Sequence, residues 1–246
     1  MTIHLIINIL IVACSGLAGW RLARRGSRSA RMTIVAAALV GVAGFALSRR
    51  PDIFTMIFPF SSAVFYADFW YPFAIMMLIP AALRFGRTRF HRIRIALLCL
   101  VLFGLSLKPY KSWFLPIQES REHIMDENGV CRQSTADTCS AAAAVTLLHH
   151  YGINSTETEV ARLAHTRPGS GTSRLGLFRA LKILTRGKPG MRVRIVRCDG
   201  EGLLRRNRPA VITVGLTENP RTEEEIKAAT LWNWQPGAVH DVTFLG

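Results

Sequence analysis

Long apolar runs separated by short polar loops fill the first 107 residues of the chain. Four of these runs are predicted to cross a bilayer as helices, since a span needs about 20 largely apolar residues. The predicted spans cover residues 3–20, 32–47, 69–83 and 93–107. A phenylalanine-rich stretch at 53–66 precedes the third span and is predicted to be an interfacial or re-entrant helix. The pattern therefore predicts an α-helical transmembrane region of about four spans over residues 1–107.

Residues 128–246 are predicted to form a separate soluble domain, joined to the spans by a juxtamembrane linker over residues 108–127. Apolar residues recur at helical spacing in its first half, and strand-like alternation follows. Three helices come first; the second has Thr156 with Glu159 or Asn154 with Glu157 as its cap, and the third has Thr172 or Ser173. Strands are predicted over 191–198, 209–214 and 239–245, the middle one more buried than the first, with a short helix from Thr222. Helices followed by strands indicate an α+β fold.

Positive charge is concentrated in two of the loops between apolar runs. The formal net charge is +15, and ten arginines lie in these loops: Arg21, Arg24, Arg25, Arg28 and Arg31, then Arg84, Arg87, Arg89, Arg92 and Arg94. Such loops stay on the cytoplasmic side of a membrane. The pattern therefore predicts a multi-pass protein of the cytoplasmic cell membrane with an extracytoplasmic soluble domain. It also argues against a nucleic-acid partner.

An acidic residue, Asp68, lies near the middle of the apolar stretch 53–83, just before the third predicted span. A carboxylate is costly in lipid unless it is solvated or paired. We interpret Asp68 as a loop residue at the membrane interface in preference to a functional carboxylate.

The five cysteines have no spacing typical of a zinc site, and no metal or organic cofactor is expected. Cys14 and Cys99 lie inside apolar runs and are interpreted as inert. Cys131 and Cys198 could pair in a disulfide if the soluble domain lies outside the cytoplasm. Cys139 would then be the free thiol of the soluble domain.

Cys139 stands at the start of a predicted buried helix that begins Cys-Ser-Ala-Ala-Ala-Ala and ends at Gly152. Asp137 or Thr138 can cap this helix. In the first turn, the helix dipole and the free N–H groups stabilise a thiolate over a thiol. Gln133, six residues upstream, could donate its side-chain amide to an oxyanion. A small buried hydrophobe is the alternative reading of Cys139.

A cysteine nucleophile needs a base that comes from another element. His149 and His150 lie at the far end of the same helix, about 15 Å away at 1.5 Å per residue, and His165 is expected at the surface. His240 opens the last predicted strand and can meet the start of the helix. A helix-borne cysteine facing a strand-borne histidine is the papain-type arrangement.

These stretches together resemble the bacteriocin-processing, double-glycine leader peptidases, a family of papain-like cysteine peptidases. The resemblance covers residues 128–246 and rests on Gln133, Cys139, the alanine-rich helix that ends at Gly152, Gly171-Thr172-Ser173, the segment 208–211 and His240-Asp241-Val242. It implies a papain-like fold in which Cys139 is the nucleophile, His240 the general base and Gln133 the oxyanion-hole donor. It also implies a peptide substrate with a leader that ends in two glycines.

The chain departs from that family in three respects. The acidic residue that usually precedes the cysteine is one place early, at Asp137. The family's third catalytic residue, an Asp about fifteen positions after the histidine, is not found before Gly246. Asp241 is not expected to replace it, because neighbours on a strand point to opposite faces. The predicted spans precede the soluble domain, and the sequence has no GxxxxGK[ST] motif. Either the chain is incomplete, another group orients His240, or the activity is weakened.

The leading hypothesis from the sequence is a membrane-anchored cysteine peptidase that cleaves leader or secreted peptides. Its expected partners are a peptide or protein substrate, the lipid bilayer and, in one reading, a separate transporter. The alternative is a catalytically weakened papain-like module that binds peptides for that transporter. A third reading is a papain-like amidase or acyltransferase that acts on cell-wall material.

Overall fold

The computed structural model describes residues 2–67, 70–85, 88–106, 117, 125–215, 218–219, 221–231, 236–237 and 239–246. The chain divides into two compact units, residues 1–111 and residues 112–246. The division falls inside the segment 108–127, where the sequence changes from apolar runs to soluble composition.

All secondary-structure elements among the described residues of the first unit are helices. Its helices are α1 (Thr2–Arg25), α2 (Arg28–Ser48), α3 (Pro51–Ile57), α4 (Ala63–Ala67), α5 (Trp70–Phe85) and α6 (Arg89–Ser106). The chain turns sharply between α1 and α2 at Gly26, whose φ of 65° lies in the left-handed region that glycine tolerates. Ser27 then caps α2 by accepting a hydrogen bond from the Ala30 N–H at 3.1 Å.

Three stretches are long and apolar enough to cross a membrane: Ile6–Arg25, Arg28–Ser48 and Ala63–Pro80. The last of them runs across residues 68 and 69, which lie outside the described residues. The fourth predicted span does form a helix, α6, but Arg89, Arg92 and Arg94 occupy its first turns. Helix α6 is therefore not among the three candidates, and the fourth span, whose last residue 107 lies outside the described residues, stays a prediction. The apolar helices associate the protein with a membrane.

The stretch 53–66 does not form the single helix that the sequence predicts. It contains α3 and α4, separated by an irregular segment around Phe58 and Pro59. Proline disfavours helical geometry in the residue before it, and Phe58 accordingly lies outside the helical region, with φ −117° and ψ 74°. Asp68 lies outside the described residues.

Helix α5 packs closely against α2 in this unit. A Cβ on Gly41 would approach the Cβ of Ala74 to 2.6 Å, and a Cβ on Gly44 would overlap the Trp70 ring. Small residues at such positions let helix backbones approach each other, as is typical of membrane helices. A polar contact joins α1 to α4, where the Asn8 side-chain amide donates to the Phe65 carbonyl at 3.0 Å.

The second unit contains five helices and two strands in its described residues. They are α7 (Cys139–His150), α8 (Glu157–Leu163), α9 (Arg174–Leu184), α10 (Gly200–Arg206), β1 (Ala210–Gly215), α11 (Glu223–Leu231) and β2 (Val239–Phe244). Strands β1 and β2 pair antiparallel, with Ala210 opposite Phe244 and Val214 opposite His240. The helices and the small sheet agree with the predicted element types at most positions.

Helix α7 forms the centre of the second unit. Every residue from Ser140 to Leu148 is buried, and the core around it includes Val160 of α8 and Ala180 of α9. Alanines along α7 allow these neighbours to approach closely because they place little side chain between the backbones. The helix ends at His150, and Gly152, with φ 67°, takes the left-handed position after it, as the sequence predicts.

The caps of the next two helices confirm one of the alternatives in each case. The Thr156 hydroxyl accepts from the Glu159 N–H at 3.1 Å and begins α8. The Ser173 hydroxyl accepts from the Gly176 N–H at 3.1 Å and begins α9. Each hydroxyl satisfies one N–H that has no partner inside its helix.

One prediction about strands is wrong. Residues 191–198 alternate between half-buried and exposed, as expected up to Val196, but they form no strand in the part of the chain that the structure describes. Strand β1 forms where predicted and is more buried than residues 191–198, as the sequence predicts, although its residues are half-buried to exposed. An extended segment shows alternating burial whenever one of its faces lies on the protein surface. A β-strand requires in addition a second strand with free backbone groups to pair with.

Helix α10 was not predicted from the sequence. Asp199 caps it by accepting from the Gly202 N–H at 2.8 Å, and Asn207 ends it in a left-handed conformation with φ 42°. An Asp before the helix and an Asn after it are typical helix boundaries. Those signals flank only seven residues, too few for helical periodicity to be recognisable.

Candidate active site

Cys139 is the first residue of α7 and is half-buried. The thiol therefore lies at the end of the helix where backbone N–H groups point outward and the dipole is positive. Its Sγ atom lies 4.0 Å from the Oγ of Ser140. The position is the one predicted for a nucleophile.

The residues before Cys139 are held differently from the prediction. Thr138 occupies the N-cap position, but its side chain makes no capping bond. Its hydroxyl instead donates to the Thr135 carbonyl at 2.9 Å. Asp137 does not cap the helix either, because its carboxylate accepts from the Gly169 N–H at 2.8 Å. That bond ties the turn before α9 to the segment that precedes the thiol.

Strand β2 runs along α7, starting near its cysteine end. The Ser140 hydroxyl donates to the Asp241 carboxylate at 2.5 Å, and the Thr243 hydroxyl donates to the Ala143 carbonyl at 2.7 Å. The direct sequence neighbours of Cys139 and of His240 are therefore in contact.

The strand geometry determines which side chains face the helix. Asp241 and Thr243 both contact α7, and side chains alternate along a strand. His240 consequently projects from the other face of the sheet, where it is half-buried and opposite Val214 in the register. The sequence indicated that His240 and Asp241 lie on opposite faces, but it did not indicate that Asp241 is the one that contacts the cysteine helix. A polar pair at alternate strand positions, Asp241 and Thr243, was the available signal.

Gln133, the predicted oxyanion donor, lies in the exposed loop that leads into α7. The loop is held on both sides. On one side Cys131 forms a β-bridge with Met125, and its N–H donates to the Thr146 hydroxyl at 2.9 Å. On the other side the Ser134 N–H donates to the Glu157 carboxylate at 2.9 Å.

Cys131, Cys139 and Cys198 are free thiols, so the disulfide that Cys131 and Cys198 could form is absent. Cys131 is buried and Cys198 is exposed. Burial, together with the nearby carboxylate of Glu157, raises the pKa of the Cys131 thiol to about 11. Cys131 is thus protonated at neutral pH and has little thiolate with which to compete with Cys139.

The other described histidines of the second unit are His149, His150 and His165. His149 and His150 are exposed at the far end of α7, as predicted. His165 was expected at the surface but is half-buried. Burial and the charge of Arg179 lower its pKa to about 4.

A shallow cavity of about 320 Å³ lies at the opposite end of α7 from Cys139. It is lined by Met125, His149, Ile153, Asn154, Ser155, Thr156 and Glu159. Since α7 has 12 residues, the cavity lies roughly 16 Å from the thiol along the helix. It is therefore not part of the candidate active site.

No protein-family model, curated protein or solved structure matches this chain. The arrangement itself supplies a thiol at a helix N-terminus, free N–H groups beside it, and a polar seam that joins that helix to the strand bearing His240. The first two elements are those required for nucleophilic attack on a carbonyl carbon and for stabilisation of the resulting oxyanion.

Proposed function

We propose that the protein is a membrane-associated cysteine peptidase. The observation that carries the proposal is the position of Cys139, half-buried at the N-terminus of a helix whose following residues are buried. The free backbone N–H groups of the first helical turn beside this thiol can stabilise an oxyanion. The contact between Ser140 and Asp241 holds the strand that bears His240 against the cysteine's helix. The peptidase requires in addition that the His240 side chain reach the thiol from the other face of the sheet.

In the proposed reaction, the Cys139 thiolate attacks the carbonyl carbon of a peptide bond. The oxyanion accepts hydrogen bonds from the Cys139 N–H and from the Gln133 side-chain amide. His240 takes the thiol proton and gives it to the leaving amine, which departs as the thioester forms. Water, deprotonated by His240, then hydrolyses the thioester and regenerates the thiol.

The fold, the substrate and the orientation belong to the same proposal. The soluble unit is a papain-like domain on the outer face of the cytoplasmic membrane, and its substrate is a secreted or leader peptide. The buried cysteine helix, followed by two helices and a later antiparallel strand pair, supports the fold. The arginine-rich segments at 21–31 and 84–94 support the orientation when α6 crosses the bilayer as a fourth span, because an even number of spans returns the chain to the outer face.

A second function is favoured by one specific observation. Asp241, and not His240, shares the strand face that contacts α7. A domain that keeps the fold while its histidine faces away from the thiol would bind peptides without cleaving them, on behalf of a separate transporter. The two functions differ in whether His240 acts on the Cys139 thiol.

Labelling with a peptide-like thiol electrophile between pH 5 and pH 9 tests the proposal. The full chain and its Cys139→Ala, His240→Ala and His150→Ala variants are compared, the last as a matched histidine far from the thiol. A peptidase predicts labelling that requires Cys139, persists well below the pKa of about 8.5 of an ordinary thiol, is lost in His240→Ala and is retained in His150→Ala. Labelling that is indifferent to His240 would overturn the peptidase and favour the binding module.

A further inference from the structure

Positive charge in the second unit is concentrated in residues 185–208, which we name the basic segment. It contains eight lysines and arginines, all exposed, and two acidic residues. The other described residues of the unit, 125–184 and 209–246, contain eight cations and ten acidic residues. The formal charge of the basic segment is therefore 8 − 2 = +6, whereas that of the other described residues is 8 − 10 = −2.

The basic segment lies on the unit by one face and exposes its cations on the other. Met191, Val193 and Ile195 are half-buried, while Arg192 and Arg194 between them are exposed. Met191 packs against the core around α7. The half-buried apolar side chains therefore hold this part of the backbone against the unit, so that the arginines between them point into solvent.

These cations are not neutralised within the described part of the chain. None of the eight forms an ion pair with a described carboxylate. Of the two acidic residues, Asp199 is engaged in capping α10. Two apolar side chains are exposed among the cations: Val196 is 48% and Leu204 67% exposed. Exposed apolar groups surrounded by Lys and Arg are typical of surfaces that lie at a membrane interface.

We propose that the basic segment docks onto the anionic lipid headgroups of the membrane to which the protein is attached. The apolar helices of the first unit keep the second unit near a bilayer, so docking is intramolecular and benefits from a high effective concentration. Each Lys or Arg near an anionic bilayer shifts the docking equilibrium by about fivefold. A nucleic acid would complement the charge equally well, but it would not account for the exposed Leu204 and Val196.

Cys198, an exposed thiol within the basic segment, provides a natural reporter. The full chain, with its other cysteines replaced, is labelled there with a fluorophore and reconstituted in vesicles that contain lipid with a nitroxide on its headgroup. Two compositions are compared, phosphatidylcholine alone and phosphatidylcholine with phosphatidylglycerol. Docking predicts quenching in the anionic vesicles only, and its loss near 1 M salt, where the screening length falls to about 3 Å.

Charge-removal variants identify the surface. The triple variant Arg192→Gln/Arg194→Gln/Arg197→Gln is expected to lower the docking equilibrium constant on the order of a hundredfold. The double variant Arg205→Gln/Arg206→Gln tests the cations of α10 independently. The matched control, Arg132→Gln/Arg221→Gln/Lys227→Gln, removes three exposed cations elsewhere and should leave quenching unchanged. Equal quenching in both vesicles, or quenching that survives the variants, would refute the proposal. Single-stranded RNA would also be added to the protein in neutral vesicles. If RNA changes the fluorescence of the Cys198 label more than anionic lipid does, the proposal is refuted in favour of a nucleic-acid surface.

Discussion

His165 combines an unusual backbone conformation with a lowered pKa. Its φ of 54° lies in the left-handed region, which few side chains adopt readily. It is also half-buried near Arg179, and burial followed by that charge lowers its pKa from 6.5 to about 4. The folded state thus favours the neutral imidazole, whereas the unfolded chain binds a proton at the ordinary pKa.

The pKa of His165 leads to a prediction about stability. Between pH 6.5 and pH 4 the unfolded state binds more protons, so the free energy of unfolding falls as the pH is lowered through this window. The variant His165→Asn keeps a residue that tolerates the left-handed conformation and should lose this part of the pH dependence. Thermal unfolding of the full chain in detergent at pH 7 and pH 5 measures the effect.

The control for this prediction is His150→Asn, since His150 is exposed at the end of α7. That variant should keep the pH dependence of the unmodified chain. If His165→Asn and His150→Asn respond to pH in the same way, the half-buried environment of His165 is not the cause.

At the scale of elements, α8 and α9 meet around Gly176. A Cβ at this position would overlap the carbonyl oxygen of Ala164, which is backbone and cannot move aside easily. We expect Gly176→Ala to lower the free energy of unfolding by about 1–3 kcal/mol, the usual range for overpacking. Gly200→Ala, at the open start of α10 where a Cβ meets no atom within 4 Å, should leave it unchanged or raise it slightly. Denaturant titration of both variants distinguishes a packing effect from a general effect of the methyl group.

The contact between Ser140 and Asp241 predicts an energetic coupling between α7 and β2. A double-mutant cycle with Ser140→Ala and Asp241→Asn should give a coupling energy of about 0.5–3 kcal/mol, the range for residues in direct contact. The same cycle with Asp126→Asn, whose carboxylate accepts from Asn128 and Val130 in a turn, should be additive. Additivity in the first cycle would show that β2 does not hold to α7 through this bond.

Local signals explain which elements could be predicted from the sequence. The caps at Thr156 and Ser173 and the stop at Gly152 depend on residues within one turn of the helix end, so the sequence contains the whole interaction. The segment 191–198 differs, because its alternation reports burial but not whether another strand offers a free edge. The candidate site could be predicted only in part. The position of Cys139 on its helix follows from the sequence. That Asp241 rather than His240 contacts Ser140 depends on how β2 lies against α7, which the sequence does not specify.

At the scale of the whole molecule, the number of spans determines what the charge pattern implies. Three candidate spans are found, and the fourth predicted span, α6, is not among them because three arginines lie in its first turns. With both arginine-rich segments on the cytoplasmic side, the second unit lies outside only if α6 also crosses the bilayer. Three spans alone would leave it in the cytoplasm.

Cys198 allows that orientation to be tested in intact cells. It is exposed in the second unit, whereas Cys131 is buried and has a pKa raised to about 11. If the second unit lies outside the cytoplasm, a membrane-impermeant maleimide should label the unmodified chain before the cells are lysed, and labelling should fall in Cys198→Ser while Cys131→Ser leaves it unchanged. Labelling of Cys198 only after lysis would place the second unit in the cytoplasm. A secreted substrate would then be out of reach, and the proposed peptidase would have to act on peptides before their export.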